Sequence, residues 1–456
     1  MTDQTVGKNG VVITRRFSSE TPAYRTYEVF QRERVGESTE KIKPKQLMSA
    51  DYQVNPYPLL EILRENYPSY RDWLSNSYWI TRYDDVTSIF ADDANFETRS
   101  KAWYYGIEAS GTDLRDELAL TQVEEGVIDE HTENISRTLV SDMKDSGSSD
   151  LVTDFVVPLT SQLLAIQLAL PQTDRSWFTE TYWRMQRGIS WLPELRQAGR
   201  QAITDLDGYF SSLIVARRAE PEDDLISAML TIKGSALASR DVTLTLLEGD
   251  HETLHGGLAN LWFLLLSHPQ ELEKARSERR LMKLAWLETL RHSPPVLTAS
   301  RFAKQEVERF GRLLPAGARL LCSAAAANRD PRIFTEPDRF IVDREDLCQR
   351  EPRGHYRADG LASGIAFGLG KPSKYPAIPE DRPRSRYAIV RDAAVTASTV
   401  LVTETSNLAL IENAHPMLTS LSVGEMHTCW QLPGSIDCLP GMDIPIPLIE
   451  VARIFR

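Results

Sequence analysis

The sequence predicts a mainly α protein with a minor β region, and three observations carry that expectation. Apolar residues recur at three- and four-residue spacing through 150–220 and 240–291, the repeat that lays one buried stripe along a helix. The period shortens towards that of strands only between Arg301 and Leu321, around a Pro315-Ala316-Gly317 turn. Proline-rich text from 341 to 383 then separates this region from a last helical pattern over Arg386–Asn407, since proline interrupts both kinds of ladder.

The elements follow in order. Residues 1–48 are polar and weakly periodic, and are expected to form an extension; 49–456 are expected to form the domain proper. In NPYPLLEILRENYPSY, Leu59, Leu60 and Leu63 share a helix face behind a proline-rich start. SYWITRYDDVTSIFAD reads as a short strand, an Asp84-Asp85 helix start and an amphipathic helix. The segment after Asn407, rich in proline and glycine, reads as strands and turns.

Composition narrows the function classes. The 456 residues carry 52 basic and 64 acidic side chains, a net charge of −12. Without a polybasic run, neither nucleic acid nor a membrane is an expected partner. No stretch approaches the roughly 18 apolar residues of a membrane span, and the N-terminus lacks a signal-like apolar run, so a cytoplasmic protein is expected. The cysteines (Cys322, Cys348, Cys429 and Cys438) contain no C-x-x-C pair and read as thiols in a reducing compartment.

Several motifs, in a fixed order, resemble the soluble bacterial cytochrome P-450 family over about residues 55–456. They are NPYPLLEILRE, WITRYDDVTSIFAD, HETLHGGLANLWFLLLSHP, ETLRHSPP, LLPAGARLL and AAAANRDPRIFTEPDRF. The resemblance implies a cytochrome P-450-like fold and gives Glu288 and Arg291, one helical turn apart, a structural ion pair. It implies a third group for that pair, with Arg329 and Arg339 as candidates.

The same resemblance exposes departures. Ile365–Lys374 reads I-A-F-G-L-G-K-P-S-K where the family has F-G-x-G-x-H-x-C-x-G. Lys374 thus stands where the family places its iron-ligating thiolate; an alternative register puts Arg384 there. His131 matches a haem-propionate ligand, but Ile135 stands at the arginine four residues on. Arg301 matches another propionate-binding arginine and is retained. In Gly249-Asp250-His251-Glu252-Thr253, Asp250 stands where the family keeps a glycine beside the oxygen site. With Thr253 facing a pocket, Asp250 lies about 60° away around the helix.

These departures give the expectations. A thiolate-haem monooxygenase is not expected; no cofactor is expected, with haem admitted only on an unusual ligand. Cofactor-binding candidates are Lys374, Arg301 and His131. Catalytic candidates are Asp250 and Glu252 as acid–base groups, with Thr253 orienting a water or substrate oxygen. One reading is a haem-free protein of bacterial specialised metabolism, working on a small hydrophobic molecule or as the auxiliary partner of a biosynthetic enzyme such as a glycosyltransferase. The alternative is a haem protein with a non-cysteine ligand and monooxygenase-like activity. His251 and His255 also satisfy H-E-x-x-H, a zinc signature, but lie about 200° from Thr253 on the opposite side of the helix. No metal is expected there.

Overall fold

A computed structural model describes residues 42–350, 360–366, 368–369 and 385–410, apart from 50, 53–54, 68, 108–113, 120, 122, 147–148, 190–192, 250 and 406, with the backbone of four outlying strands. Its helices are α1 (Tyr57–Asn66), α2 (Tyr83–Ala91), α3 (Lys101–Tyr104), α4 (Leu114–Ala119), α5 (Val123–Ser146), α6 (Val157–Gln167), α7 (Arg175–Arg187) and α8 (Pro193–Ala219). They continue as α9 (Leu225–Lys233), α10 (Ser239–Leu247), α11 (His251–Ser267), α12 (Pro269–Ser277), α13 (Arg279–His292), α14 (Ala324–Ala327) and α15 (Arg386–Glu404). The strands are β1 (Thr2–Val6), β2 (Val12–Arg16), β3 (Gln31–Glu33), β4 (Tyr70–Asp72), β5 (Ser77–Ile80) and β6 (Phe96–Glu97). After them come β7 (Thr298–Ala303), β8 (Val307–Arg309), β9 (Arg312–Leu314), β10 (Arg319–Ser323), β11 (Asn407–Ala409) and β12 (Arg453–Phe455). The protein is mainly helical with a minor sheet, as the periodicity predicts.

The chain divides into two compact units. The first holds residues 1–99 and 284–378 with a short later segment. Its five-stranded sheet runs β4-β5-β10-β7-β6, with β5 and β10 parallel, Arg319 opposite Ser77, and the other pairs antiparallel. Leu60 and Leu63 of α1 pack with Trp79, Leu321, Ala325 and Ala326 beneath this sheet. Each large apolar side chain so buried contributes about 1.5–3 kcal/mol. Asp84 and Asp85 fall in the first turn of α2, where the helix dipole favours acidic side chains. Gly317, at φ +78°, supplies the left-handed residue that the turn before β10 needs.

The second unit holds 100–283, 379–416 and 429–456. Its core centres on α7 and α8: Phe178, Tyr182 and Met185 meet Ala202, Ile203, Leu206 and Phe210. Asp224 accepts from the Ser227 amide to start α9, and Ser385 from the Ala388 amide to start α15, each satisfying an otherwise orphaned donor. The last helix ends at Glu404, three residues short of the expected end, and β11 pairs with β12. The N-terminal 48 residues include β1-β2-β3, an antiparallel sheet.

Candidate functional site

The Glu288–Arg291 pair centres a charged network of the first unit. Both side chains are fully buried, and the guanidinium meets the carboxylate through two bonds of 2.7 Å. That bidentate, charge-assisted geometry is what offsets the desolvation of both charges. The remaining Arg291 donors go to the carbonyls of Asn328, Pro337 and Arg339. The third charged group is Arg344, whose Nε donates to Glu288 Oε1 at 3.1 Å. This corrects the expectation of Arg329 or Arg339. Arg329 instead lies over the Tyr57 ring and donates to the His292 carbonyl, while the Arg339 side chain is exposed beside Glu336.

Arg301 lies on β7 with its guanidinium 4.4 Å over the Phe90 ring. Gly368, at φ +74°, lies beside them: an added Cβ would be in ordinary contact, 3.9 Å from Arg301 Nη2 and from Phe90. The Arg301 guanidinium, whose Nη1 donates to the Ser300 carbonyl, is a group that can also pair with a carboxylate. This arrangement fits a haem propionate. The described cysteines do not fit the family's axial sulfur. Cys322 is fully buried in β10, and burial pushes its thiol up to about 12, so it stays protonated. Cys348 is buried with its Sγ donating to the Arg350 carbonyl. Lys374 and Arg384 lie outside the described residues, as do Cys429 and Cys438.

In the second unit, Thr253 is buried in the first turn of α11. Asp250 lies outside the described residues, and Glu252 is placed only as helix backbone. His255, two residues on, is buried with its ring 4.9 Å from that of Trp183 on α7. The ring is part of the α7–α11 packing. Among the described residues no three His, Cys, Asp or Glu side chains come together in a metal-binding group. His131 on α5 is partly exposed, with Nε2 3.8 Å from Glu130; Ile135, one turn on, is buried. Among the described residues no helix is long and apolar enough to cross a membrane.

Sequence reasoning missed the role of Gln186. Its amide donates to the carbonyls of Leu246 and Leu247 at 3.3 and 3.2 Å, closing the end of α10 just ahead of the candidate residues. A buried glutamine in an amphipathic helix carries no motif, so nothing in the text of the sequence marks it.

Comparison with known proteins places these features. A family model described as cytochrome P-450 matches residues 181–346, which include the Glu288–Arg291–Arg344 network. The chain is 29% identical to pulcherriminic acid synthase of Bacillus subtilis, covering 73% of this chain and 86% of that protein. It is 29% identical to cyclomarin C epoxidase of Salinispora arenicola, with 69% and 83% covered. Among solved structures, the bacillaene polyketide synthase cytochrome P-450 of Bacillus subtilis superposes with a TM-score of 0.68 at 22% identity, over 86% of this chain and 98% of that one. Proteins of this kind bind haem, and that overturns the expectation of no cofactor, or of haem only on an unusual ligand. The loop alone points away from haem because it lacks one ligand, whereas the match over residues 181–346 draws on many positions at once. With a family-model match over residues 181–346, bacterial relatives aligned along most of their length and a shared fold, the chain resembles the soluble bacterial cytochrome P-450 superfamily.

Proposed function

We propose that the protein is a cytoplasmic, haem-binding oxidoreductase of bacterial specialised metabolism, acting on a small hydrophobic molecule. The observation that carries this reading is the Arg301–Phe90–Gly368 arrangement, a ready carboxylate-binding cradle in a chain alignable along most of pulcherriminic acid synthase. Arg301 would hold a haem propionate, and His131 is the candidate for a second polar contact. Haem supplies one-electron and dioxygen chemistry when bound. The protein's own part is proton handling and orientation. The Thr253 hydroxyl orients a substrate or water oxygen, and Asp250 and Glu252, three and one residues before it in sequence, carry protons to and from that oxygen.

The test is spectroscopic. Protein produced with a haem supply should show a Soret band with stoichiometric haem, and Arg301→Gln should lower haem occupancy several-fold while leaving the helical content intact. Lys374→Cys should move the reduced-CO band towards that of a thiolate-ligated haem. Protein that takes up no porphyrin even on reconstitution would refute the reading. A second role, as auxiliary partner of a biosynthetic enzyme such as a glycosyltransferase, is favoured by the absence of cysteine from Ile365–Ser385. Its signature is co-purification with that enzyme and a gain in the partner's activity.

A further inference from the structure

His292, the last residue of α13, is buried in the first unit with both ring nitrogens engaged. Its Nδ1 lies 3.1 Å from Arg329 Nη2 and 3.0 Å from Ser293 Oγ, and its Nε2 lies 3.0 Å from the Asp338 carbonyl. A guanidinium can only donate and a carbonyl can only accept. The ring is therefore neutral, with its proton on Nε2 and the Nδ1 lone pair turned to Arg329.

Arg329, also buried, spends its other donors on the same corner. Its Nε donates to the His292 carbonyl at 2.9 Å, its Nη1 meets Asp338 Oδ1 at 3.3 Å, and its guanidinium carbon lies 3.3 Å over the Tyr57 ring of α1. The Tyr57 hydroxyl donates to the same His292 carbonyl at 3.0 Å. Phe340 closes the far side, its ring 5.9 Å from the imidazole and edge-on to it. One imidazole thus ties α13 to α1 and to segment 329–340. The charged groups about it are Arg329, Asp338 and the adjacent Arg291, which Glu288 engages. Burial draws the Arg329 guanidinium below its ordinary value, against Tyr57 and Asp338 and with Arg291, but an arginine keeps its charge in a folded protein.

We propose that His292 is an acid-sensitive clasp: on taking a second proton at Nδ1 it sheds Arg329 and releases segment 329–340 from α13 and α1. The new N–H would face a guanidinium N–H across a gap sized for one hydrogen bond, setting donor against donor and charge against charge. Segment 329–340 also supplies the Pro337 and Arg339 carbonyls that Arg291 holds, so its release slackens the Glu288 network. In the open form the imidazole titrates as an ordinary histidine, near pH 6.5, whereas the closed form refuses the proton. The clasp is therefore closed above about pH 6.5 and opens progressively below it. Asp85 of α2 acts in the opposite sense, since burial pushes its carboxyl up to about 7 and acid favours its folded form.

Hydrogen–deuterium exchange on the full-length protein tests it, with the intrinsic chemical rate at each pH divided out. If only the open form takes the proton, the open-to-closed ratio rises about tenfold between pH 7.5 and 5.5. Protection of amides in 329–340 should fall by that factor while α8 of the second unit keeps its own. His292→Asn puts an amide oxygen near the place of Nδ1, able to accept from Arg329 but not to titrate, and its protection should stay flat over the same range. A flat parent would overturn the clasp, and so would an Asn variant that falls as steeply as the parent. Should that variant fail to fold, the parent's onset decides: an onset near pH 6.5 marks the imidazole, whereas one only below about pH 4.5 marks a carboxylate and overturns the proposal. An equal fall across the whole first unit would be plain acid unfolding and would overturn it too.

Discussion

Two buried carboxylates of the first unit illustrate how neighbours decide the meaning of a charge. Glu288 is matched by Arg291 and Arg344 and by the Ile341 amide. Replacing it with Gln leaves two arginines buried with a neutral partner, and loss of about 3–5 kcal/mol is expected, read as a large drop in the denaturant midpoint. Asp85 is under-compensated. Burial, opposed by Arg82 and reinforced by Asp84 and Asp330, pushes its carboxyl from the ordinary 3.8 up to about 7, and its Oδ2 accepts no hydrogen bond. Nearby Asp330 goes the other way: burial would raise it, but Arg332 and Arg64 hold it low.

The sign for Asp85 follows from proton binding. The folded form binds its proton more tightly than the unfolded chain, so this stability contribution is complete below about pH 4 and is lost as pH rises through about 7. The slope from this group approaches about −1.4 kcal/mol per pH unit within that window. Urea midpoints measured from pH 4 to 8 should therefore fall less steeply in Asp85→Asn than in the parent; identical slopes would show that Asp85 does not titrate there.

At the level of elements, helices and turns take their form from local chemistry. The β4–β5 hairpin is one case: the buried Asp72 side chain accepts from the Leu74 and Ser75 amides and from the Ser75 hydroxyl, fixing a turn whose next residue, Trp73, is 70% exposed. Asp72→Ala should cost about 1–3 kcal/mol by stranding those donors, measurable as a lowered Tm; no change would mean that water replaces the carboxylate without loss. Such elements were legible because their signals are local. The spacing of Leu60 and Leu63, the Asp84-Asp85 helix start and the Pro315–Gly317 turn each act within a few residues. Arg344 was not legible as Glu288's partner, since 56 residues separate them and no spacing rule joins a helix to a later loop. His255 could be placed opposite Thr253 by helix geometry, but its packing on Trp183 could not.

For the molecule as a whole, family and function separate at one loop. The Glu288–Arg291–Arg344 network lies within the stretch that matches the cytochrome P-450 family model, whereas the loop after Phe367 reads as a departure because of what it lacks. Fold information is spread over hundreds of residues, so it survives the loss of any one of them; ligand information sits in a few positions, where a single substitution changes the chemistry. The account is tested most directly by the absorbance spectrum of the purified full-length protein after haem reconstitution, oxidised and then reduced under CO. It predicts one haem per chain, with a Soret band that responds to CO and an occupancy that falls in Arg301→Gln. A folded protein with no Soret band, or with a haem signal indifferent to Arg301, would contradict it.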